Sequence, residues 1–143
     1  MYAHLFLLVN LIAVAGWIMM IGFPTWRNTP KGILNGVIII LCFFYYVSIT
    51  EWLHHGCPGG FDSLANVMLL FTNERAVLAG WVHYLAFDMF VGLWITLDAQ
   101  RIGLKRTILI PVQLLTFMLG PMGLGLYILI RRRKTGELIA GLW

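Results

Sequence analysis

The amino-acid sequence predicts an all-α fold: a polytopic membrane bundle of four transmembrane helices, with a short interfacial or re-entrant helix between the second and the third. Three observations support this fold class. The chain is 60% hydrophobic and only 11% charged, its mean hydropathy is +0.85, and its apolar residues gather in four long runs. Soluble domains are about 45–50% apolar and about 25% charged, and disordered chains lack apolar residues, so both classes are excluded.

The 143 residues are predicted to form a single integral membrane domain. A spanning helix needs about 20 mostly apolar residues, which leaves room for four spans and their connections. The runs place these spans at about residues 5–23, 32–53, 76–97 and 107–130. Turn formers or charged residues bound each run, and these residue types commonly end helices.

Two further segments depart from a simple spanning helix. The apolar stretch at residues 61–71 is too short to cross a bilayer, so it predicts an interfacial or re-entrant helix with Asp62 or Ser63 as its N-cap. The fourth run contains Pro111 and Gly120-Pro121. Because proline removes a backbone donor, this run is expected to be kinked or locally open.

The net charge of +4 does not indicate nucleic-acid binding, because the basic residues flank apolar runs and form no solvated basic face. The predicted macromolecular environment is instead the lipid bilayer. If all four runs cross it, the positive-inside rule gives a tie of five against five. One side would contain Arg27, Lys31, Arg101, Lys105 and Arg106, and the other Arg75, Arg131, Arg132, Arg133 and Lys134.

The third run contains two ionisable residues, His83 and Asp88, where a charged group costs several kcal/mol unless it has a partner or water. At 100° per residue they lie about 140° apart around a helix, so each needs a partner from another helix. Asp88 is either a structural hydrogen-bonded carboxylate or a buried proton carrier. His83 is either an interhelical hydrogen-bonding residue or a catalytic one.

A second group of polar residues ends the second run. Glu51 is spaced from His54 and His55 so that all three can share one helix face. This spacing suits a metal site that His83 would complete, and it also suits an ordinary polar helix terminus. We predict no metal and keep Glu51, His54, His55 and His83 as the alternative.

The residues from Ala79 to Gly92, followed by Trp94-Ile95 and Asp98-Ala99, closely resemble the signature of bacterial members of the abscisic acid-deficient protein four-like family. The resemblance covers most of the chain. It continues at Asn10, Gly16-Trp17, Pro24, Trp26, Phe61, Ser63-Leu64, Leu70-Phe71, Gly120-Pro121, Gly123 and Tyr127.

The resemblance implies a small integral membrane protein, here of a bacterial inner membrane. Plant members promote the conversion of the epoxycarotenoid violaxanthin to the allenic neoxanthin, and they match this chain at Trp81, His83 and Asp88. This isomerisation needs an acid and a base but no redox cofactor. We therefore expect no cofactor, with Asp88 as the catalytic acid and His83 as the base or relay. The expected substrate-binding residues are Trp17, Trp81, Tyr84, Phe87 and Phe90.

Three functions are compatible with these features. The first is an intramembrane isomerase acting on a carotenoid epoxide or another isoprenoid lipid. The second is a non-catalytic membrane protein that binds a carotenoid or lipid, and the third is a metal-dependent membrane oxidoreductase. The expected partners are a hydrophobic small molecule and the bilayer, and a homo-oligomer is compatible with the sequence.

Overall fold

The computed structural model describes residues 2–56 and 58–138, and all the regular structure in these residues is helical. The five helices are α1 (Tyr2–Gly22), α2 (Thr29–His55), α3 (Leu64–Leu70), α4 (Glu74–Arg101) and α5 (Arg106–Thr135). Four of them, α1, α2, α4 and α5, are long and apolar enough to span a membrane, and the short α3 lies between the second and third of these. The predicted all-helical membrane architecture is therefore confirmed.

Helix α4 is the centre of the bundle. In the apolar stretch of α4, 56% of the residues are buried, against 22–33% in the corresponding stretches of the other three long helices. The reason is that α1, α2 and α5 all pack against α4. Small residues on α4 permit this approach. A Cβ added at Gly92 would overlap the Trp17 ring of α1 and lie 2.9 Å from Met20 Cε.

Polar side chains cap the N-termini of helices α3 and α4. Ser63 Oγ accepts a hydrogen bond from the backbone N–H of Asn66 at 3.2 Å, so Ser63 is the N-cap of α3. Asp62 accepts from the Asn66 side chain at 2.9 and 3.0 Å, and that bond lowers the pKa of the Asp62 carboxyl group. Asn73 Oδ1 accepts from the backbone N–H of Arg75 at 2.9 Å and caps α4.

Helix α5 turns back on itself. Leu119 has a non-helical backbone (φ −144°, ψ 52°) and divides α5 into two arms. A Cβ at Gly123 would overlap the backbone of Thr116, although residues seven apart in a straight helix are about 10 Å apart along the axis. Lys134 Nζ donates to Gly103 O at 2.8 Å. Both ends of α5 therefore lie at the same end of α4.

Proline explains where the bend falls. Pro121 has no backbone N–H to donate to the Phe117 carbonyl four residues earlier. The Tyr84 hydroxyl of α4 lies 3.0 Å from Phe117 O and 3.1 Å from Met118 O, so it supplies the missing donor. A helix in lipid tolerates a break only where other groups satisfy the freed backbone atoms. The kink expected from the sequence is thus present, and it is deep enough to reverse the chain.

The bend regroups the basic residues. Arg106 donates to the carbonyls of Ile21 and Gly22 at 2.8 and 3.1 Å, which places the α1–α2 and α4–α5 connections at one end of the bundle. The second arm of α5 returns residues 131–134 to that same end. Nine of the ten Lys and Arg residues therefore gather there, and Arg75, which bonds the Tyr2 hydroxyl, lies at the other end.

The return of the second arm changes the distribution of the Lys and Arg residues from five at each end of the bundle to nine at one end and one at the other. The equal count assumed that the fourth run crosses the membrane once. With the second arm of α5 returning, the positive-inside rule predicts that the basic end faces the cytoplasm and that the start of α1 faces away from it.

Candidate functional site

The Asp88 carboxyl group lies where α4 meets the bend of α5. Its residue is 9% exposed, and a Cβ at Gly120 would overlap its Oδ1 and lie 2.8 Å from its Cγ. The Tyr84 hydroxyl and the backbone N–H of Gly120 lie within hydrogen-bonding reach of this carboxyl group. Oδ2 is buried and has no hydrogen-bond partner among the described residues. Asp88 therefore has a buried carboxyl oxygen whose hydrogen-bonding capacity is unused in the described part of the chain.

Tyr84 connects this carboxyl group to the bend. Its hydroxyl has one hydrogen, which it donates towards the carbonyls of Phe117 and Met118. The same oxygen remains available as an acceptor. A protonated Asp88 could donate to it, and a rotation of the hydroxyl would let Tyr84 donate to an ionised Asp88 instead. The direction of a hydrogen bond between the two groups can therefore reverse through rotation of the hydroxyl alone.

An open cleft runs along the lipid-facing side of this pair. Its volume is about 460 Å³, and it is lined by Trp81, Tyr84, Met118, Leu119, Gly120, Pro121 and Met122. The Trp81 ring is held by a hydrogen bond from Nε1 to Asn10 Oδ1 at 3.2 Å and lies 5.5 Å from the Tyr84 ring. An apolar molecule in the bilayer can therefore reach the residues that touch Asp88.

His83 lies on a different face of α4. Its ring stacks on Phe87 at 4.5 Å between centroids and lies 5.7 Å from the Tyr45 ring of α2. The fold therefore does not bring His83 and Asp88 into one site, as their 140° separation predicted. His83 lines a separate cavity that also contains Tyr45 and Trp52.

The predicted substrate-binding residues are divided in the same way. Trp81 and Tyr84 lie at the cleft beside Asp88, whereas Phe87 and Phe90 line an apolar cleft that includes Cys42 of α2. Trp17 is 3% exposed and packs in the core, with its ring 5.4 Å from that of Phe117. Their roles in binding stay predictions.

The residues of the alternative metal site lie on the exposed end of α2. His55 Nδ1 lies 2.9 Å from the Glu51 backbone oxygen and 3.8 Å from Glu51 Oε2. His54 is exposed as well. Within residues 2–56 and 58–138, no three His, Cys, Asp or Glu side chains are grouped so that they could hold a metal ion.

A second buried polar cluster was not expected from the sequence. Asp98 Oδ2 accepts from the Tyr127 hydroxyl at 2.5 Å and from Arg131 Nε at 2.7 Å. Arg131 is only 3% exposed. In the sequence both residues are among the charged residues that bound the apolar runs. The structure shows that the returning arm of α5 buries them together against α4.

Another buried bond holds the first arm. Gln113 Nε2 donates to Thr96 Oγ1 at 2.7 Å, and both side chains are almost fully buried. Each arm of α5 is therefore attached to α4 by a buried polar contact. The first arm is held by Gln113 and Thr96, and the second by the cluster around Asp98. For the Asp98 cluster, a signal was present in the sequence: Asp98 and Tyr127, which are 29 residues apart, both belong to the family resemblance.

A family model described as ABA DEFICIENT 4-like matches residues 4–127. The chain belongs to the ABA4-like family. The matched range includes Asp88, Tyr84 and the bend of α5, and it ends at Tyr127 of the buried cluster. No curated protein and no solved structure matches this ABA4-like chain.

Proposed function

We propose that this ABA4-like protein is an intramembrane isomerase that acts on a carotenoid epoxide or a related isoprenoid lipid by acid–base chemistry. The observation that supports the proposal is the buried Asp88 carboxyl group, whose Oδ2 has no partner in the described part of the chain. Ionisable residues at membrane depth are costly and commonly functional. The open bend of α5 beside it is the kind of irregular backbone that membranes tolerate around a site.

In the proposed reaction, Asp88 donates one proton to the substrate and removes another proton from it. A protonated Asp88 donates its proton to the epoxide oxygen, and the bond between that oxygen and the ring carbon next to the chain breaks. The resulting Asp88 carboxylate then removes a proton from the adjacent chain carbon, whose C–H electrons form the second double bond of the allene. The product is an allenic alcohol, and Asp88 is protonated again. Acid and base steps of this kind contribute about 10²–10⁴-fold each.

This scheme gives both proton steps to one carboxyl group. The two atoms that gain and lose a proton are separated by a single carbon, so one carboxyl group can serve both. His83, which we predicted to be the base or relay, lies on the other face of α4 against Phe87. The net change is an isomerisation, so the scheme needs no redox cofactor.

Tyr84 and Trp81 are proposed to orient the substrate. The Tyr84 hydroxyl can donate to the carboxylate that forms after the first step. The Trp81 ring, held by Asn10, offers a flat surface beside the cleft on which a conjugated chain can lie. Location in a bacterial inner membrane and assembly into a homo-oligomer stay predictions.

The test is expression in a host that accumulates a carotenoid epoxide such as violaxanthin, with pigment analysis of its membranes. We expect an allenic product with the unmodified chain and at least about 100-fold less with Asp88→Asn. Glu51→Gln is the matched control, because Glu51 is an exposed carboxylate at the end of α2. Equal product from Asp88→Asn and the unmodified chain, at equal amounts of folded protein, would overturn the proposed mechanism.

The non-catalytic alternative gives a different result. A carotenoid-binding protein would retain unmodified epoxide through purification and form no allene on long incubation.

His83→Ala tests whether the face of α4 opposite Asp88 takes part in the reaction. Our scheme expects turnover to persist in this variant, whereas a base role for His83 predicts the loss of turnover.

A further inference from the structure

Unpaired positive charge gathers at the basic end of the bundle, where nine of the ten Lys and Arg residues lie. The two acidic residues at this end, Asp98 and Glu137, both contact Arg131. Within residues 2–56 and 58–138, the other eight cations of this end form no ion pair with a carboxylate. Their charge is therefore available to anions from outside the protein, and basic residues at a membrane surface attract anionic lipid headgroups.

A surface cleft at this end has one of these cations in its wall. Its volume is about 610 Å³, and it lies between the end of α1 and the start of α5. The lining residues are Gly22, Phe23, Pro24, Thr25, Trp26 and Arg106. Helix α1 is long and apolar enough to span a membrane, and residues 23–26 follow its last turn. The cleft therefore lies at the level of the lipid headgroups.

The guanidinium group of Arg106 is held in place by α1. Its Nη2 donates to the carbonyls of Ile21 and Gly22 at 2.8 and 3.1 Å. Arginine has five N–H donors, and those on Nε and Nη1 of Arg106 have no acceptor in the part of the chain that the structure describes. The side chain is exposed. A phosphate oxygen can therefore accept from Arg106 while both bonds to α1 remain, and a group that is already fixed loses less freedom on binding.

Two polar contacts fix the backbone that forms the rest of the cleft. Gln100 Nε2 donates to Pro24 O at 2.6 Å, and Thr29 Oγ1 donates to Phe23 O at 2.6 Å. The Phe23 and Trp26 side chains stay 62% and 54% exposed. Tryptophan is common at the membrane–water interface, where headgroups meet acyl chains. The cleft therefore offers apolar surface beside a fixed cation, which suits a phospholipid better than inorganic phosphate.

We propose that this cleft binds one anionic phospholipid, whose phosphate accepts hydrogen bonds from Arg106 and whose first acyl carbons contact Phe23 and Trp26. Charge-assisted hydrogen bonds from arginine to phosphate are roughly twice as strong as neutral ones. The seven other unpaired cations at this end favour a headgroup with net negative charge over a zwitterionic one. The inference does not depend on isomerase activity at Asp88.

The experiment is native mass spectrometry of the full chain in detergent, which counts the lipid molecules bound to each protein molecule. The probes are phosphatidylglycerol and phosphatidylcholine with the same acyl chains, so that only the headgroup differs. We expect phosphatidylglycerol to bind at least about fivefold more tightly, the value of one charge near a basic surface. The difference should shrink as the salt concentration rises.

Two charge-removing variants separate the cleft from the rest of the basic end. Arg106→Gln is expected to weaken binding of the first phosphatidylglycerol at least about tenfold, the value of a hydrogen bond to a charged group. Arg133→Gln is the matched control, because it removes the same charge from an exposed residue that does not line the cleft. Its effect should be about fivefold at most.

A further pair of variants fills the cleft and keeps every charge. Apart from chain neighbours and the helix backbone itself, no atom of the described residues lies within 4 Å of a Cβ at Gly22 or at Gly36. Both positions therefore have room for a leucine, but only Gly22 lines the cleft. Gly22→Leu should weaken binding of the first phosphatidylglycerol about tenfold through steric overlap, and Gly36→Leu should leave it unchanged.

The outcomes distinguish a site from a diffuse basic surface. Equal effects of Arg106→Gln and Arg133→Gln, or unchanged binding in Gly22→Leu, would overturn the proposal. If Arg106→Gln lowers thermal stability, Gly22→Leu decides, because it keeps both bonds between Arg106 and α1. Displacement of phosphatidylglycerol by excess inorganic phosphate at constant ionic strength would indicate a site for free phosphate and overturn the lipid assignment. Asp88→Asn should leave lipid binding unchanged even where it abolishes turnover.

Discussion

Replacing Gly120 by alanine tests whether the bend of α5 presses against Asp88. The added Cβ would overlap Asp88 Oδ1 and lie 2.8 Å from both Cγ and Oδ2. To admit it, either the Asp88 carboxyl group must rotate away or the bend and α4 must separate, and overpacking of this kind costs about 1–3 kcal/mol. Alanine recovers at most about 1 kcal/mol through its higher helix propensity. We expect Gly120→Ala to lose about 1–2 kcal/mol of stability.

Gly125→Ala is the matched control in the same arm. Apart from its chain neighbours and its own helix backbone, no atom of the described residues lies within 4 Å of a Cβ at Gly125, so this variant should be neutral or gain up to about 1 kcal/mol. Reversible unfolding in mixed detergent micelles, followed by circular dichroism, measures both. The double variant Asp88→Ala, Gly120→Ala should recover most of the loss, because the overlapping carboxyl group is gone. Equal stability of Gly120→Ala and Gly125→Ala would refute the contact.

Two further predictions concern groups away from the bend. Asp98→Ala should lower the free energy of unfolding by about 3–5 kcal/mol, because it removes the buried carboxylate that pairs with Arg131 Nε and leaves Arg131 only its contacts with Glu137. Tyr127→Phe should lower it by only about 1.5–3 kcal/mol, because it removes one hydrogen bond to a charged group. Equal losses in thermal unfolding would contradict the cluster. The Asn66 bond lowers the pKa of Asp62, so its contribution to the start of α3 is present above the usual range of a carboxyl group and is lost as pH falls through the lowered value. NMR of the Asn66 side-chain amide should show this titration, and Asp62→Asn should abolish it.

The positions of the helices could be predicted because each is a local property. Residues 5–23 and 76–97 were expected to be helical, and the helices are Tyr2–Gly22 and Glu74–Arg101. Ser63 was correctly one of two candidate caps for α3. Apolar length and capping residues are readable within a few positions of the chain, so these elements need no knowledge of the tertiary structure.

The reversal of α5 could not be predicted by the same means. Gly120 and Pro121 indicate a weak point, but the angle of a kink depends on which distant groups satisfy the freed carbonyls. Here the donor is Tyr84, 33 residues before Phe117. A proline kink without such a donor would leave the fourth run as a single bent span, and the sequence alone does not distinguish the two.

Long-range contacts also explain why the burial of Asp88 could be predicted from the sequence and the burial of Asp98 and Arg131 could not. Asp88 was correctly singled out as an ionisable residue inside the bundle, because it stands in the middle of an apolar run. Asp98 and Arg131 looked like surface charges, because each stands at the end of an apolar run and the two are 33 residues apart. Their pairing follows from the returning arm of α5, which no local pattern encodes.

The central claim is that α5 turns back at Leu119 and so brings its bend to Asp88. Thiol labelling of single cysteines tests it, at Lys105→Cys and Thr135→Cys in a chain with Cys42 and Cys57 replaced by serine. An impermeant maleimide is added to right-side-out and to inverted vesicles, with Asp62→Cys marking the opposite surface. We predict that Lys105→Cys and Thr135→Cys label together, from the cytoplasmic side in a bacterial membrane, and that Asp62→Cys labels from the other. Labelling of Thr135→Cys with Asp62→Cys would contradict the claim.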